Sequence, residues 1–316
     1  MPVDAERDGR VLVLRLGNAP SHLIDRRLVD ELTMVVRRVA RDRSVGSLVL
    51  TGALPGRFLT HYEIGEMLAG ADAVGLPLAP ASASVSSKAV RALTALPGGR
   101  RLVRRTPVAG VGDLHATAGL FRRLELLDKV VIAAINGPAL GAACELALAC
   151  DLRYAADDVE AIGSPELTQA YAPGAGGTQR HARALGQARA LELVLEGRTP
   201  DAREALALGL VHRVVPAGRL LDEAVETAQR LARRSAVSVA GVKRALHEGA
   251  SLPLDAGLAL ERSWFMAASS KPPARRAMRA YLDELARAGR GPWEDASTFA
   301  AWRDGTAVDL LAGSMG

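Results

Sequence analysis

The sequence predicts an α/β protein, a core of short buried strands alternating with helices, followed by a mostly helical carboxy-terminal region. Three observations carry this prediction. Short apolar runs at Val11–Leu16, Leu48–Thr51 and Val130–Ile135 read as buried strands. Leu28, Leu32, Val35 and Val39 recur at helical spacing between the first two of them. Beyond Gly186 the apolar residues return at helical intervals almost to the end of the chain. With 316 residues, the chain can bury one large core or a core with an appended module.

Taken in order, Val11–Leu16 opens the core and an arginine-rich amphipathic helix follows. Leu48–Thr51 is closed by Gly52, and Val130–Ile135 stops at Asn136-Gly137-Pro138, a strong turn signal. Between Ala69 and Ala118 the pattern weakens. Pro-Ala-Ser-Ala-Ser-Val-Ser-Ser from Pro80 reads as a flexible loop within an insertion that turns helical near Ala89–Leu96. Such a segment is either a mobile surface loop or a lid or pocket wall. Arg203–Leu208 leads into Gly209, a C-cap, and then a strand at Val211–Val215. Leu221–Arg233, Val237–His247 and Leu254–Ser269 read as amphipathic helices. Ala274–Ala288 does too, after a double proline suited to a helix start. The organisation expected is a core over 1–200 with an insertion at about 69–118, a helical region over 201–288 and a tail over 289–316. No internal repeat is visible.

Composition narrows the functional classes. Hydrophobic residues make up 49% and charged residues 24%, near the average for globular proteins. No apolar run approaches the roughly 18 residues of a membrane span. Met1–Arg10 is charged and lacks the apolar stretch of a secretory signal, so a cytoplasmic location is expected. Cys144 and Cys150, six residues apart, would point to nearly opposite faces of a helix, which argues against a disulfide and for two small buried apolar groups. The net charge is +5. Its arginines are scattered, with doublets such as Arg104-Arg105 and Arg233-Arg234, and aromatics are only 3%, unlike the clustered and aromatic-rich surfaces of nucleic-acid binders. The excess suits solvated surface, or a polyanionic small ligand. The six histidines show no metal-ligand spacing, so no metal is expected.

Two stretches carry chemistry. In Ile135-Asn-Gly-Pro-Ala-Leu-Gly-Ala-Ala-Cys-Glu-Leu-Ala-Leu-Ala-Cys-Asp151 a strand ends, a turn follows, and small residues open an apolar helix. Small residues there let another molecule approach the backbone, and the free N–H groups suit a developing negative charge. Glu145 lies about one turn in. A carboxylate among apolar neighbours is costly to bury unless used, and burial raises its pKa as a general acid near neutral pH requires. Read from the residues alone, Glu145 could equally face water on the helix's one wet side. The second stretch is Gly163-Ser-Pro-Glu166 followed by Ala172-Pro-Gly-Ala-Gly-Gly-Thr-Gln-Arg180. Pro165 places Glu166 where a strand gives way to a loop, and the glycine-rich turn around Gly174 creates a second helix entrance. It matches neither a phosphate loop nor a dinucleotide fingerprint.

Together these stretches resemble the two signature segments of the enoyl-CoA hydratase/isomerase (crotonase) family. The resemblance runs from about Val11 to Leu285 and is strongest between Val130 and Arg180. It implies a crotonase-like spiral of β-β-α units with a helical oligomerisation region, assembled as a homotrimer or a dimer of trimers, and an acyl-CoA substrate. No further cofactor is implied, because coenzyme A is part of the substrate. It implies an oxyanion hole formed by the backbone N–H groups of Tyr62 and Ala142, beside Gly141, gripping the thioester carbonyl. Family hydratases hold one water between two glutamates, whereas isomerases typically keep only the second. Glu145 and Glu166 fill both positions, which points to hydration. By position in the family, Glu63 and Ile64 would flank the adenine pocket, and Phe265 and Lys271 would reach a neighbouring subunit's coenzyme A.

The chain departs from the family in Phe58-Leu59-Thr60-His61-Tyr62-Glu63-Ile64. His61 stands where glycine is usual. It either packs against the insertion or lines the pocket and alters substrate choice. Three readings stay open: a hydratase, an isomerase or other acyl-CoA enzyme driven mainly by Glu166, and a catalytically silent member that binds a partner.

Overall fold

The computed structural model describes residues 2–311. Its main sheet has the order β1-β2-β3-β4-β6-β8. β2 (Val11–Leu16), β3 (Ser47–Gly52), β4 (Val130–Ile135), β6 (Leu152–Ala156) and β8 (Arg213–Val215) run parallel. Every residue of β3 is buried, as a strand covered on both faces requires, which is why these runs read as unbroken apolar stretches. β1 (Val3–Asp8) was invisible to that criterion. It is an antiparallel edge strand on β2, and all of its residues but Val3 face water. β8 is shorter than the Val211–Val215 run, and His212, just before it, is tied to Arg153 of β6. Its Nδ1 accepts from the Arg153 amide and its own amide donates to the Arg153 carbonyl.

A second, two-stranded ladder pairs β5 (Ala139–Leu140) with β7 (Ile162–Gly163) in parallel, with Ala139 opposite Ile162. A single bridge joins Leu59 to Ala139 on the other side. Because the strands of the main sheet are parallel, the segments leaving their carboxy ends collect at one end of the sheet. There this small ladder brings residues 59–62, 139–142 and 162–166 side by side.

α1 (Arg26–Val39) is capped by Asp25, whose carboxylate accepts the Leu28 amide at 2.7 Å. Between β3 and β4 come α2 (Ile64–Val74), α3 (Pro80–Ala95), α4 (Gly99–Val103) and α5 (Ala109–Glu125). The stretch from Pro80, expected as a flexible loop, is therefore a 16-residue helix. Its alanines and serines carry little apolar periodicity, yet alanine is the strongest helix former and proline suits the first helical position. Ser87 and His115 tie it to α5 through a 3.0 Å contact between Oγ and Nε2.

α6 (Ala142–Leu148) is wholly buried. α7 (Gly177–Leu185), α8 (Gln187–Glu196) and α9 (Ala202–Leu208) follow, and Gly209 ends α9 in the left-handed conformation. The helical region consists of α10 (Leu220–Leu231), α11 (Ala236–His247), α12 (Leu254–Ser269) and α13 (Pro272–Ala288). The expected tail is folded where it is described. A turn at Pro292–Glu294 precedes α14 (Ala296–Asp304), and Tyr281 of α13 meets Trp293 and Trp302 edge-on at 5.3 and 6.2 Å. The two tryptophans supply the apolar area that the segment's polar composition conceals. The last five residues of that tail lie outside the described residues. Both cysteines are free and buried, and no described helix is long and apolar enough to cross a membrane.

Lys243 of α11 locks the helical region to the sheet. Its buried ammonium donates to Asp151 Oδ2 at 2.8 Å and to the carbonyls of Leu124 and Lys129 at 3.0 Å, while Asp151 also accepts the Val131 amide. Breaking a buried pair strands the remaining charge. Lys243→Met is expected to lower unfolding free energy by about 3–5 kcal/mol, measured by denaturant titration at pH 7. A loss below ~1 kcal/mol would mean that the pair is not desolvated.

Candidate active site

The β5–β7 ladder delivers two carboxylates to one place. Leaving β5, the chain turns at Gly141, whose φ of 54° few side chains tolerate, and enters α6. A side chain there would also collide, since its Cβ would stand 3.2 Å from Glu166 Oε1 and 3.3 Å from His61 Cβ. Gly141 is thus the point on which Glu166 and His61 converge from different segments. Its own amide donates to the Gly163 carbonyl at 2.8 Å, which fixes this turn against the strand leading to Glu166.

Glu145, one turn into α6, is 2% exposed. The side chain points to the core and not to a wet helix face. Its Oε1 accepts the amides of Gly177 at 2.6 Å and Ala175 at 3.1 Å. The amides of the second glycine-rich helix entrance are therefore spent on Glu145. No residue larger than glycine fits at 177, because its Cβ would lie 2.7 Å from that carboxylate oxygen. Burial pushes Glu145 up to about 7, against the pull of the Gly177 amide, and the charge of Glu166 adds to the rise.

Glu166 opens a short 3-10 helix, Glu166–Gln169, and is 8% exposed. Its Oε2 is buried without a hydrogen-bond partner. Burial raises its pKa, partly offset by its own backbone amide and by His61. An unpartnered carboxylate oxygen beside a second carboxyl of raised pKa is a costly arrangement for structure alone.

The segment carrying His61 and Tyr62 is held by a bridge between Ile24 and Tyr62. Ile24 donates to the His61 carbonyl at 3.0 Å and Glu63 donates to the Ile24 carbonyl at 2.8 Å, so the Tyr62 amide between them points away from that bridge. Ala142 is the first residue of α6, and its amide has no partner within the helix. His61 Nδ1 meets the Tyr62 carbonyl at 2.7 Å, which makes Nδ1 the donor and leaves Nε2 free. The Tyr62 hydroxyl donates to Glu66 Oε2 at 2.8 Å. Burial and that bond raise the phenol's pKa far above its ordinary value. The same Glu66 oxygen accepts the Arg26 amide, and Arg26 Nε bonds Asp113 of α5 at 2.9 Å.

The remaining expected residues divide. Glu63 caps α2, its carboxylate accepting the amides of Gly65 and Glu66, and Ile64 begins that helix. Gly174 packs on Leu114 of α5, which would stand 3.1 Å from a Cβ. Phe265 is exposed on α12. Lys271 lines a cavity with Arg10, Gly46 and Lys129, residues that precede β2, β3 and β4, so it lies at the opposite end of the sheet.

One contributor escaped the sequence reading. Arg180, quoted above only as the end of a motif, donates from Nη1 to the Ala175 carbonyl at 2.8 Å and from Nε to Glu125 Oε1 at 2.6 Å, with its guanidinium 5.7 Å from the Phe121 ring centre. It braces the peptide that lies between the two whose amides bond Glu145. Burial alone would raise Glu125, but Arg180 outweighs it and holds that carboxyl below the usual range. Glu125 lies 55 residues from Arg180, so no local pattern pairs them.

Two buried carboxyls of raised pKa thus lie near a helix entrance whose first amide, that of Ala142, has no partner within its helix. The model of the family described as enoyl-CoA hydratase/isomerase matches residues 114–292. A short-chain-enoyl-CoA hydratase of Clostridium acetobutylicum is 31% identical over 281 residues, which cover 88% of this chain and 94% of that protein. A probable enoyl-CoA hydratase of Mycobacterium bovis is 34% identical over 285 residues, covering 89% and 95%. The crystal structure of an enoyl-CoA hydratase from Bacillus anthracis superposes with a TM-score of 0.72 at 27% identity, covering 90% of this chain and 97% of that one. The chain belongs to the enoyl-CoA hydratase/isomerase family.

Burial of Glu145 has a measurable cost. A carboxyl whose pKa rises on folding, from 4.5 to about 7, contributes stability that is full below pH 4.5 and lost as the pH climbs through 7. Wild type is expected to lose ~3 kcal/mol between pH 5 and pH 8 through this group. Glu145→Gln, which keeps an oxygen for the two amides, should not show that loss. Denaturant titrations of both at the two pH values read the difference. Parallel losses would mean that Glu145 ionises freely.

Proposed function

We propose that the chain is an enoyl-CoA hydratase that adds water across the 2,3 double bond of an enoyl-CoA thioester. The observation that carries this reading is the convergence of Glu145 and Glu166 beside the Gly141–Ala142 helix entrance. The thioester carbonyl would accept hydrogen bonds from the Ala142 and Tyr62 amides. As negative charge moves onto that oxygen, each such donor is worth roughly 2.7–4 kcal/mol. A water between the carboxyls gives one proton to the ionised glutamate while its oxygen bonds C3. The protonated glutamate delivers a proton to C2, and the pair is left with its roles exchanged.

A value near 7 for Glu145 makes both protonation states available at neutral pH. The two carboxyls titrate as a coupled pair, so the pH dependence belongs to both. His61 stands close enough to Glu166 to favour its ionised form, and it lies where the acyl group would pass Gly141. Assembly as a homotrimer or dimer of trimers would cover the apolar side chains that α12 and α13 expose, among them Phe265, Met266 and Leu282. In such an assembly Phe265 would serve a neighbour's site, whereas Lys271 lines the cavity at the far end of its own sheet.

A second reading, double-bond isomerisation by Glu166 alone, draws on the fact that the Ala175 and Gly177 amides both engage Oε1 of Glu145. The two are separated by following the ultraviolet absorbance of conjugated enoyl thioesters. Hydration predicts loss of absorbance in wild type, with kcat reduced by about 10²–10⁴ in both Glu145→Gln and Glu166→Gln. Isomerisation predicts that Glu145→Gln keeps converting a 3-enoyl thioester to the conjugated form while Glu166→Gln does not. No change in any thioester by wild type would overturn both.

Arg180 gives a graded test of the same site. Arg180→Gln is expected to lower kcat by about 10–100-fold with little change in KM, because it loosens the amides behind Glu145 without touching substrate. Steady-state kinetics with an unchanged kcat would remove Arg180 from the machinery.

A further inference from the structure

A cavity of about 1310 Å³ opens at the end of the sheet opposite the glutamates, among the segments that precede β2, β3 and β4. Ten lysines and arginines line it against a single acid, Asp128, which pairs with Lys129 at 2.9 Å. Arg37, Arg41, Arg123 and Lys271 have no ion pair or side-chain hydrogen bond among the described residues. Two other guanidiniums have no ion pair among the described residues, although the charge of Asp304 bears on Arg234. Arg10 donates to the carbonyls of Ala232 and Arg43, each at 3.2 Å, and Arg234 to the carbonyls of Trp302 and Arg303. Carbonyl bonds of this kind fix the direction of a guanidinium and leave its charge uncompensated.

The crowding has a visible cost. After burial, the charges of Arg37 and Arg123 are among the causes that lower the pKa of neighbouring Arg100. Charges of one sign facing a concavity repel one another, and a concave wall concentrates their field on whatever enters. The lining also includes the apolar Val36, Val45, Leu126, Leu127 and Val239, and Trp264 with Arg244 stacked 5.7 Å from its ring centre. Arginines lining a cavity beside apolar and aromatic side chains, in a volume above the usual few hundred Å³ of a ligand pocket, suit a charged head on an apolar or planar body.

We propose that this cavity is a second binding site, separate from the glutamate pair, for a small molecule bearing two or more phosphates. Guanidiniums match phosphate oxygens in pairs, and a polyphosphate would neutralise the cations that no described carboxylate pairs with. The proposal does not depend on which reaction the glutamates perform.

Inorganic tripolyphosphate is the probe, titrated calorimetrically into the full chain. One saturable site is expected, weakening at least tenfold between 50 and 200 mM salt. In Arg37→Gln/Arg41→Gln/Arg123→Gln, which removes no internal contact of the fold, binding should fall at least tenfold at constant salt, with the melting temperature of the free protein unchanged. Arg189→Gln/Arg203→Gln/Arg262→Gln changes net charge equally on exposed helix faces outside the cavity, and it should bind as wild type does. An equal loss in both triple variants, or no saturable binding, would overturn the proposal. So would competition between tripolyphosphate and a saturating acyl-CoA, which would place the anion in the acyl-CoA site.

Discussion

Glu145 Oε1 accepts two backbone amides from a loop 30 residues further along the chain, in a site where its side chain is almost wholly buried. The organisation around it follows from that bond. A carboxylate cannot stay there without those amides. The amides cannot reach it unless residue 177 is glycine, and the loop keeps its shape because Arg180 holds the Ala175 carbonyl. Arg180 is held in turn by Glu125 and rests on Phe121, both on the helix that enters β4. One buried charge thus enlists three segments of sequence. Glu166 sits across Gly141 with an oxygen that the fold leaves unpartnered. The pair combines a carboxyl held firmly with one held loosely, which suits a site that must pass a proton in and another out.

Much of this was legible in the residues. The buried parallel strands announced themselves because a strand covered on both faces has nowhere to place a polar side chain. Both glutamates stood out because each follows a run of small residues at a turn into a helix. The edge strand Val3–Asp8 was hidden by its charges, since an edge contributes backbone bonds and little burial. Pro80–Ala95 was hidden for a different reason. Alanine and serine carry almost no signal of which face is inward, so a helix held mainly by propensity and by Ser87 on His115 looks like a linker. The functions of Glu63 and Arg180 were illegible because they depend on partners. Glu63 spends its carboxylate on the cap of α2, and Arg180 is paired with a residue 55 positions away.

The departure at His61 becomes intelligible in three dimensions. The position usually held by glycine is filled here by a side chain directed to Gly141, which has no side chain of its own. With Nδ1 engaged by the Tyr62 carbonyl, the imidazole is kept from rotating freely, and Tyr62 is anchored through its hydroxyl to Glu66. The loop that presents the Tyr62 amide is stiffened by side chains where glycine would have left it pliable.

Helix α5 touches every part of this arrangement. Asp113 near its start holds Arg26, whose amide bonds the glutamate that anchors Tyr62. Leu114 packs on Gly174, and Glu125 at its end holds Arg180. It acts as a ridge-pole across both loops, and the inserted helices hang from it. A graft that exchanged this segment for a relative's would reset the two loops together, so acyl preference and proton chemistry should be inherited as one trait when such segments are shuffled.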